Sequence, residues 1–271
     1  MKTIKAANIT LLIILAGLAF RSTAQQTAAD PQAVANKLSN PVANMISVPL
    51  QHNSDYGIGR HNGSKYQVNF QPVIPFALNK KLNLITRWII PVVDQRDVVA
   101  DHTSEFGLSD ATISFFFSPS TPKKSGIIWG AGPAFLVPIG TDDLLSTRKW
   151  AAGPTLLLLR QANGLTYGFL TNQLWSFAGD DNRSDVNQLF FQPFFAKNWK
   201  SGAGVTLNSE MTFNWESETT SIFINPIASA VTKLGNQPVQ LAVGPRMPVA
   251  GSKESRPDFG LRAVFTLVFA N

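Results

Sequence analysis

Apolar side chains recur at every second position along most of this chain, and this alternation constrains its fold more than any other feature. In the segment 203–214, for example, Val205 and Leu207 alternate with Thr206 and Asn208. A period of two places successive side chains on opposite faces of a β-strand. Twelve such segments follow one another, near 46–59, 65–78, 82–93, 106–118, 126–139, 150–160, 165–177, 186–196, 203–214, 220–232, 238–249 and 258–269. The sequence therefore predicts an all-β fold of about 12 strands.

The connections between these segments alternate in length and charge. Five short ones, at 79–81, 119–125, 160–164, 197–202 and 233–237, contain no acidic residue and eight basic ones: Lys80, Lys81, Lys123, Lys124, Arg160, Lys197, Lys200 and Lys233. The other six, four of which run eight to twelve residues, contain 13 of the 17 acidic residues. In an antiparallel meander every other connection lies at the same end, so one rim should be basic and the other acidic. Short turns opposite longer loops are typical of outer-membrane barrels.

Composition indicates what surrounds such a sheet. The chain is 44% hydrophobic and 15% charged, against about 25% charged in soluble domains. Beyond the N-terminus it has no run of 18 apolar residues, which excludes a helical membrane protein. The strand faces opposite the apolar ones carry mostly Gln, Asn, Thr, Ser and Gly, whereas a soluble exterior would carry more Lys and Glu. Because only a closed sheet satisfies its backbone in lipid, we predict an antiparallel up-and-down transmembrane β-barrel rather than a soluble β-fold.

The N-terminal part divides into two segments before the barrel region 46–271. Residues 1–24 have the pattern of a secretory signal peptide, with Lys2 and Lys5 before an apolar stretch and small residues up to Ala24. Its removal leaves 20 basic against 17 acidic residues, a net charge of +3 instead of +6. Residues 25–45 show approximate helical spacing broken at Pro41, which predicts a short helix in the periplasm or plugging the barrel. A disordered leader is the alternative.

Prolines recur inside the predicted strands, at Pro72, Pro133, Pro154, Pro193, Pro226 and Pro245. A proline removes a ladder donor, and a closed barrel has no edge strand to place it on. The pattern leaves two accommodations open: local bulges, or strands shorter than the alternation indicates.

Several recurrent phrases resemble a bacterial family of outer-membrane proteins often labelled "transporter" or "neuromedin U". They are SNPVAN at 39–44, FQPVIP at 70–75, GLSD at 107–110, FSP at 117–119, WGAGP at 129–133 and GTDDLL at 140–145. The resemblance extends from about Leu38 to the C-terminus. It implies an outer-membrane barrel of a Gram-negative bacterium with a transport role, and it implies no catalytic residue.

The candidate site for transport is the polar inner face. The predicted lumen-lining residues are Gln67, Asn69, Gln71, Arg87, Asp110, Asn208, Glu210, Arg246 and Arg262. The charged members either line a water-filled pore or form an ion-pair network that fills the barrel, and the pattern does not choose between them. Three positive against two negative charges predict at most a weak anion preference.

Enzymatic and metal chemistry find little support. His61 and His102 fall in loops and His52 in the weakly alternating first segment, and no Ser–His pair can be read on rigid strands, so we predict that the protein is not an enzyme. No cofactor is predicted. The carboxylates of five loop residues are weak candidates for Ca²⁺ or Mg²⁺, with solvated acidic loops as the favoured interpretation: Asp142, Asp143, Asp180, Asp181 and Asp185.

The sequence thus favours a narrow outer-membrane channel that passes small solutes by diffusion. The alternative is a closed structural or surface-interaction barrel without transport activity. Expected partners are outer-membrane lipid, lipopolysaccharide and an unidentified small solute. Nucleic acid is not expected, because no nucleotide or basic-aromatic motif occurs and the mature charge is low.

Overall fold

The computed structural model describes residues 30–121 and 125–269. Within them the chain forms a closed antiparallel barrel of 12 strands with a short N-terminal helix, which confirms the predicted fold. Neighbours in the sheet follow chain order, and the pairing of the first strand with the last closes the barrel. No helix in the described ranges is long and apolar enough to cross a membrane. The predicted signal peptide, Lys123 and Lys124 lie outside the described residues.

The described part contains one helix and fourteen strand pieces. They are α1 (Pro31–Leu38), β1 (Ile46–Ile58), β2 (Gly63–Phe70), β3 (Val73–Ala77), β4 (Leu82–Arg96), β5 (Ser104–Leu108), β6 (Ala111–Pro119), β7 (Ile127–Val137), β8 (Lys149–Ala162), β9 (Leu165–Gly179), β10 (Asn187–Asn198), β11 (Ala203–Asn214), β12 (Thr219–Leu234), β13 (Gln237–Ala250) and β14 (Phe259–Phe269). Two barrel strands are interrupted. β2 and β3 both pair with β1 and β4, and β5 and β6 both pair with β4.

The closed meander places the connections at two ends. The turn rim carries the connections 78–81, 163–164, 199–202 and 235–236 and the described residues of the connection between β6 and β7. The first residue of β1 and the last residue of β14 lie at the same rim. The loop rim carries 59–62, 97–103, 138–148, 180–186, 215–218 and 251–258. Basic residues such as Lys80 and Lys200 therefore lie at one end, while Asp97, Asp181 and Glu216 lie at the other.

The prolines are accommodated in two ways. Pro72 lies in the break between β2 and β3, where the strand is shorter than the alternation indicates. Pro226 and Pro245 lie in a stretch of β12 and β13 that has no paired rungs, between Ile224↔Met247 and Ala228↔Val243. Gly244 fits there because a β-carbon would collide with the carbonyl oxygen of Pro226. By contrast, the register is continuous where Pro133 stands opposite Pro154.

The helix and the segment after it fill the turn-rim end of the lumen; residues 30–45 are called the plug. Asp30 caps α1 by accepting a hydrogen bond from the backbone of Gln32 at 3.1 Å, and proline follows at the first helical position. Val34 and Ala35 are buried. Beyond the helix, Val42 enters a core formed by inward-facing apolar side chains of the barrel: Ile85, Phe116, Leu157, Leu159 and Leu170.

This inner core departs from the expectation of a polar inner face. On β8, Leu157 and Leu159 are buried inside, while Leu156 and Leu158 are about 40% exposed on the outside. The strand is apolar on both faces here because its inner face packs against the plug instead of water.

Candidate functional site

The lumen contains an ion-pair network that joins strands across the barrel. Arg262 on β14 donates two parallel hydrogen bonds to Glu210 on β11, at 2.7 and 2.8 Å, although β12 and β13 separate these strands in the sheet. Arg246 on β13 lies 3.5 Å from Asp55 and 3.8 Å from Glu210. Asn53 accepts a further bond from Arg262 at 2.8 Å. These contacts fix which strand faces point inward, and they leave each of these buried charges with a partner.

Arg87 on β4 stands apart from this network. Its Nη2 atom donates to Oε1 of Gln71 at 3.1 Å. Among the described residues no carboxylate lies within 4.0 Å of its guanidinium, although the field of Glu210 reaches it. Arg87 therefore presents a half-buried cation whose hydrogen-bond acceptor in the described ranges is neutral.

Two cavities meet at Arg87. The outer cavity, about 740 Å³, lies toward the loop rim and is lined by strands β4, β6, β9 and β10 and by the loops 138–148 and 180–186. The inner cavity, about 210 Å³, lies between the plug and the inner faces of β1, β13 and β14. Arg87 lines both cavities, so its side chain lies between the loop-rim cavity and the plug-side cavity.

Asp110 lines the outer cavity and also anchors a loop. Its carboxylate accepts hydrogen bonds from the backbone of Gly140 at 3.2 Å, from the hydroxyl of Ser146 at 2.6 Å, and from both the backbone and the hydroxyl of Thr147 at 2.6 Å. With four donors on two oxygens, Asp110 holds the loop 138–148 in the barrel mouth. It is an inward-facing anchor and not a free pore charge.

The other predicted lumen residues also face inward. Gln67 donates to Asn69 at 2.7 Å, and Asn208 accepts from Asn225 at 2.8 Å. The structure brings together Gln71 with Arg87, and Glu210 with both Arg246 and Arg262. It places the Gln67–Asn69 pair on β2 and Asn208 on β11, apart from both groups.

Sequence reasoning missed several lumen residues on the first two strands. Asn53 and Asp55 on β1 and Lys65 on β2 face the network from inside. A signal was present, because Ser47, Gln51, Asn53 and Asp55 stand at alternate positions of a segment whose apolar alternation is weak. The polar positions of a period-two pattern identify the inner face of a barrel strand, just as the apolar positions identify its outer face.

The acidic loop residues are used within the loops. Arg148 pairs with Asp143 at 2.8 Å, and Asp142 and Asp180 accept backbone bonds from Leu144 and Asn182, respectively, at 2.8 and 2.9 Å. Hydrogen bonds from Lys149 and Ser176 lower the pKa of Asp185 below its ordinary value. In the described ranges no three His, Cys, Asp or Glu side chains converge as metal ligands.

We therefore expect EDTA to leave the thermal stability of the detergent-solubilised barrel unchanged. The reason is that hydrogen bonds or ion pairs within the protein already occupy four of the five candidate carboxylates, those of Asp142, Asp143, Asp180 and Asp185. The measurement is the temperature at which the folded band converts to the unfolded one on a denaturing gel. A lower temperature in EDTA, restored by added Ca²⁺, would show that a bound cation supports these loops.

A Ser–His pair exists on the strands, contrary to the sequence expectation. Nε2 of His52 lies 2.7 Å from Oγ of Ser54, both on the outward face of β1, and the His52 ring stacks on Tyr66. A nucleophile and base at this distance are the first requirement for covalent catalysis. Two further requirements are not met: Ser54 is only 7% exposed, and among the described residues no carboxylate or amide hydrogen-bonds to the imidazole. The pair therefore serves as a polar contact on the outer surface.

This interpretation predicts that Ser54 is chemically inert. A serine-directed fluorophosphonate should leave the folded protein unlabelled, and S54A should match the wild type in ester hydrolysis. Labelling is read by intact-protein mass spectrometry, with a serine esterase as positive control. One adduct on the wild type that disappears in S54A would make the pair a catalytic dyad.

Comparison with known proteins rests on structure alone, because no family model and no curated protein matches the chain. The fold is similar to that of an outer-membrane channel from Pseudomonas putida F1, with a TM-score of 0.62 and 12% identity over 83% of this chain and 94% of the other. Two outer-membrane phospholipase structures score 0.47. The Salmonella typhi dimer with bound calcium covers 91% of this chain and 99% of its own at 10% identity, and the Escherichia coli enzyme covers 83% and 96% at 8%.

The likeness to the channel shows the shared fold, and the phospholipases are too distant to support an argument. The family resemblance carried by the sequence phrases stays a prediction. The chain has the fold of an outer-membrane β-barrel, which supports a location in the outer membrane.

Proposed function

We propose that this protein is a narrow outer-membrane channel through which small solutes diffuse passively. The observation that carries the proposal is that Arg87 lines both the outer and the inner cavity. A solute that enters at the loop rim reaches Arg87 and then passes between the plug and the barrel wall. The similar structure from Pseudomonas putida is itself described as a channel.

The plug sets the width of this path. It is held at the turn rim by four side-chain hydrogen bonds. Gln32 donates to the carbonyl of Asn198 at 2.9 Å, and the amide of Asn198 donates to Asn36 and Ser39 at 3.1 and 3.0 Å. Gln161 donates to the carbonyl of Asn36 at 2.8 Å. Twelve-stranded barrels are intermediate between filled eight-stranded and open sixteen-stranded ones. A plug in such a barrel leaves room for small solutes and excludes larger ones.

The lumen charge favours anions. In the lumen network two carboxylates, those of Asp55 and Glu210, face four cations: Lys65, Arg87, Arg246 and Arg262. The excess within this group is two positive charges, and Arg87 is the cation that lies between the two cavities. Side chains along a pore set its selectivity, so chloride should pass more readily than potassium.

Swelling of liposomes that contain the purified protein tests the proposal. We expect swelling in small amino acids and slower swelling in disaccharides, and a reversal potential in a salt gradient that shows modest chloride preference. Liposomes with heat-unfolded protein are the control. Absence of swelling in every solute, or strong cation selectivity, would contradict the proposal.

A closed barrel is the second candidate, favoured by the packing of Val42 into the core that fills the turn-rim end. In that case the acidic loops would be the working surface, in contact with lipopolysaccharide or another surface partner. The swelling experiment separates the two candidates, because a closed barrel gives none.

A further inference from the structure

We propose that Arg87 and the apolar wall of the outer cavity form a binding site for a small organic monocarboxylate with an apolar body. This inference rests on the proposed channel function, since it names the class of solute that the channel would select. It concerns the cavity of about 740 Å³, a size within the usual range of about 300–1,000 Å³ for small-molecule sites.

Arg87 has hydrogen-bond donors that the protein does not use. A guanidinium has five N–H donors in a planar fork that matches a carboxylate. Arg262 uses its fork on Glu210, and Arg246 is shared between Asp55 and Glu210. Arg87 instead has the single neutral acceptor Gln71. An incoming carboxylate would give this half-buried cation the counter-charge that Arg246 and Arg262 already have.

The cavity surface beside Arg87 carries hydroxyl and apolar side chains. On β6, Ser114 lies opposite Arg87 in the strand register and Thr112 lies opposite Ile89, and both line the same cavity. Phe190 on β10 stands opposite Asn172 on β9 in the cavity wall. The remaining apolar lining consists of Ile89, Leu136, Leu144, Leu145, Leu174 and Val186. These seven apolar side chains can cover the apolar body of a ligand whose anionic end binds Arg87, while hydroxyl, amide and charged groups form the rest of the lining.

Three other charged side chains line the cavity or its mouth, and each has partners within the protein. Asp110 is saturated by four donors, and Asp185 pairs with Lys149 at 3.1 Å. The Arg183 guanidinium donates to the carbonyl oxygens of Asp143 and Ser146, at 2.6 and 2.5 Å. The two carboxylates are engaged by the protein itself, whereas Arg183 donates through Nη2 alone to carbonyl oxygens of the loop 138–148. Arg87 is the arginine of this cavity that lies on a barrel strand, and a single guanidinium there favours a monocarboxylate over a polyanion.

Binding of 4-fluorobenzoate to the full-length protein in detergent, followed by ¹⁹F NMR, tests the site. The neutral isostere 4-fluorobenzamide reports on the contribution of the ligand's negative charge. Competition by unlabelled acetate and by unlabelled benzoate reports on the contribution of the ligand's apolar body. Neither experiment needs a variant. We expect the carboxylate to bind at least about tenfold more tightly than the amide, from the typical strength of charge-assisted hydrogen bonds. Benzoate should compete better than acetate.

Variants then place the site. R87Q should weaken fluorobenzoate binding about tenfold or more and leave fluorobenzamide binding unchanged, whereas R87K should retain part of the affinity. R148Q is the matched control, an arginine of the loop 138–148 that pairs with Asp143 and does not line the cavity, and it should bind as the wild type does. Equal affinity for acid and amide in the wild type, or unchanged binding in folded R87Q, would overturn the proposal.

The two experiments can disprove the channel function and the binding site separately. Carboxylate binding without liposome swelling would keep the site and remove the channel. Swelling without discrimination between fluorobenzoate and fluorobenzamide would keep the channel and remove the site.

Discussion

Replacement of Glu210 by alanine is expected to destabilise the barrel by about 3–5 kcal/mol, the usual cost of removing one partner from a buried ion pair. The carboxylate of Glu210 receives both donors of the Arg262 fork and lies 3.8 Å from Arg246. Arg262 is 2% exposed, so its charge has no access to bulk water when Glu210 is lost. The measurement is urea-induced unfolding in lipid vesicles, compared between wild type and E210A.

The double variant with Glu210→Met and Arg262→Met is the matched control. It removes both charges of the bidentate pair and leaves Arg246 with Asp55, so its stability should lie near that of the wild type. Glu216→Ala, in an exposed loop, should have no effect. If E210A unfolds at the wild-type urea concentration, the network does not hold the strands together across the lumen.

Deletion of residues 30–44 of the plug is expected to raise single-channel conductance severalfold. The plug occupies the turn-rim end of the lumen, where Val42 joins the core that includes Phe116 and the helix contacts β10, β11 and β12. Without it, the proposed path from the outer cavity past Arg87 to the turn rim becomes wider. Planar-bilayer recording measures the change, after a heat-modifiable gel shift has shown that the barrel still folds.

Asn198→Ala should loosen the plug without removing it. It removes the amide that donates to Asn36 and Ser39 but leaves the barrel wall intact. We expect more frequent transitions to the large conductance of the deletion variant. If the deletion variant conducts as the wild type does, the plug does not limit the path.

The outer half of this architecture was predictable from the sequence because lipid imposes a simple rule on it. Most outward side chains are apolar, so alternation indicated the twelve strands, least clearly the first one, where His52 and Ser54 face outward. The segment 203–214 coincides with β11, and most of the others end within a few residues of the observed strands. The two interrupted strands were not visible, because alternation does not show where pairing stops at Pro72 or Asp110.

The interior was less predictable because its contacts join residues far apart in the chain. Alternation placed Arg262 and Glu210 on inner faces but did not show that they meet across the lumen. It also did not show that Arg87 is excluded from that network, or that Asp110 is saturated by its own loop. These roles depend on how twelve strands close and on which loops fold inward, and a single strand carries neither piece of information.

In the proposed channel, solutes pass Arg87 on a path open from both rims. The chain has no cysteine, so Arg87→Cys introduces a single thiol between the two cavities. In planar bilayers we expect a small negatively charged methanethiosulfonate reagent to change the conductance of R87C when added to either compartment, and to leave the wild type unaffected. A barrel that never conducts, or a thiol that reacts from the loop-rim side alone, would contradict a continuous path past this residue.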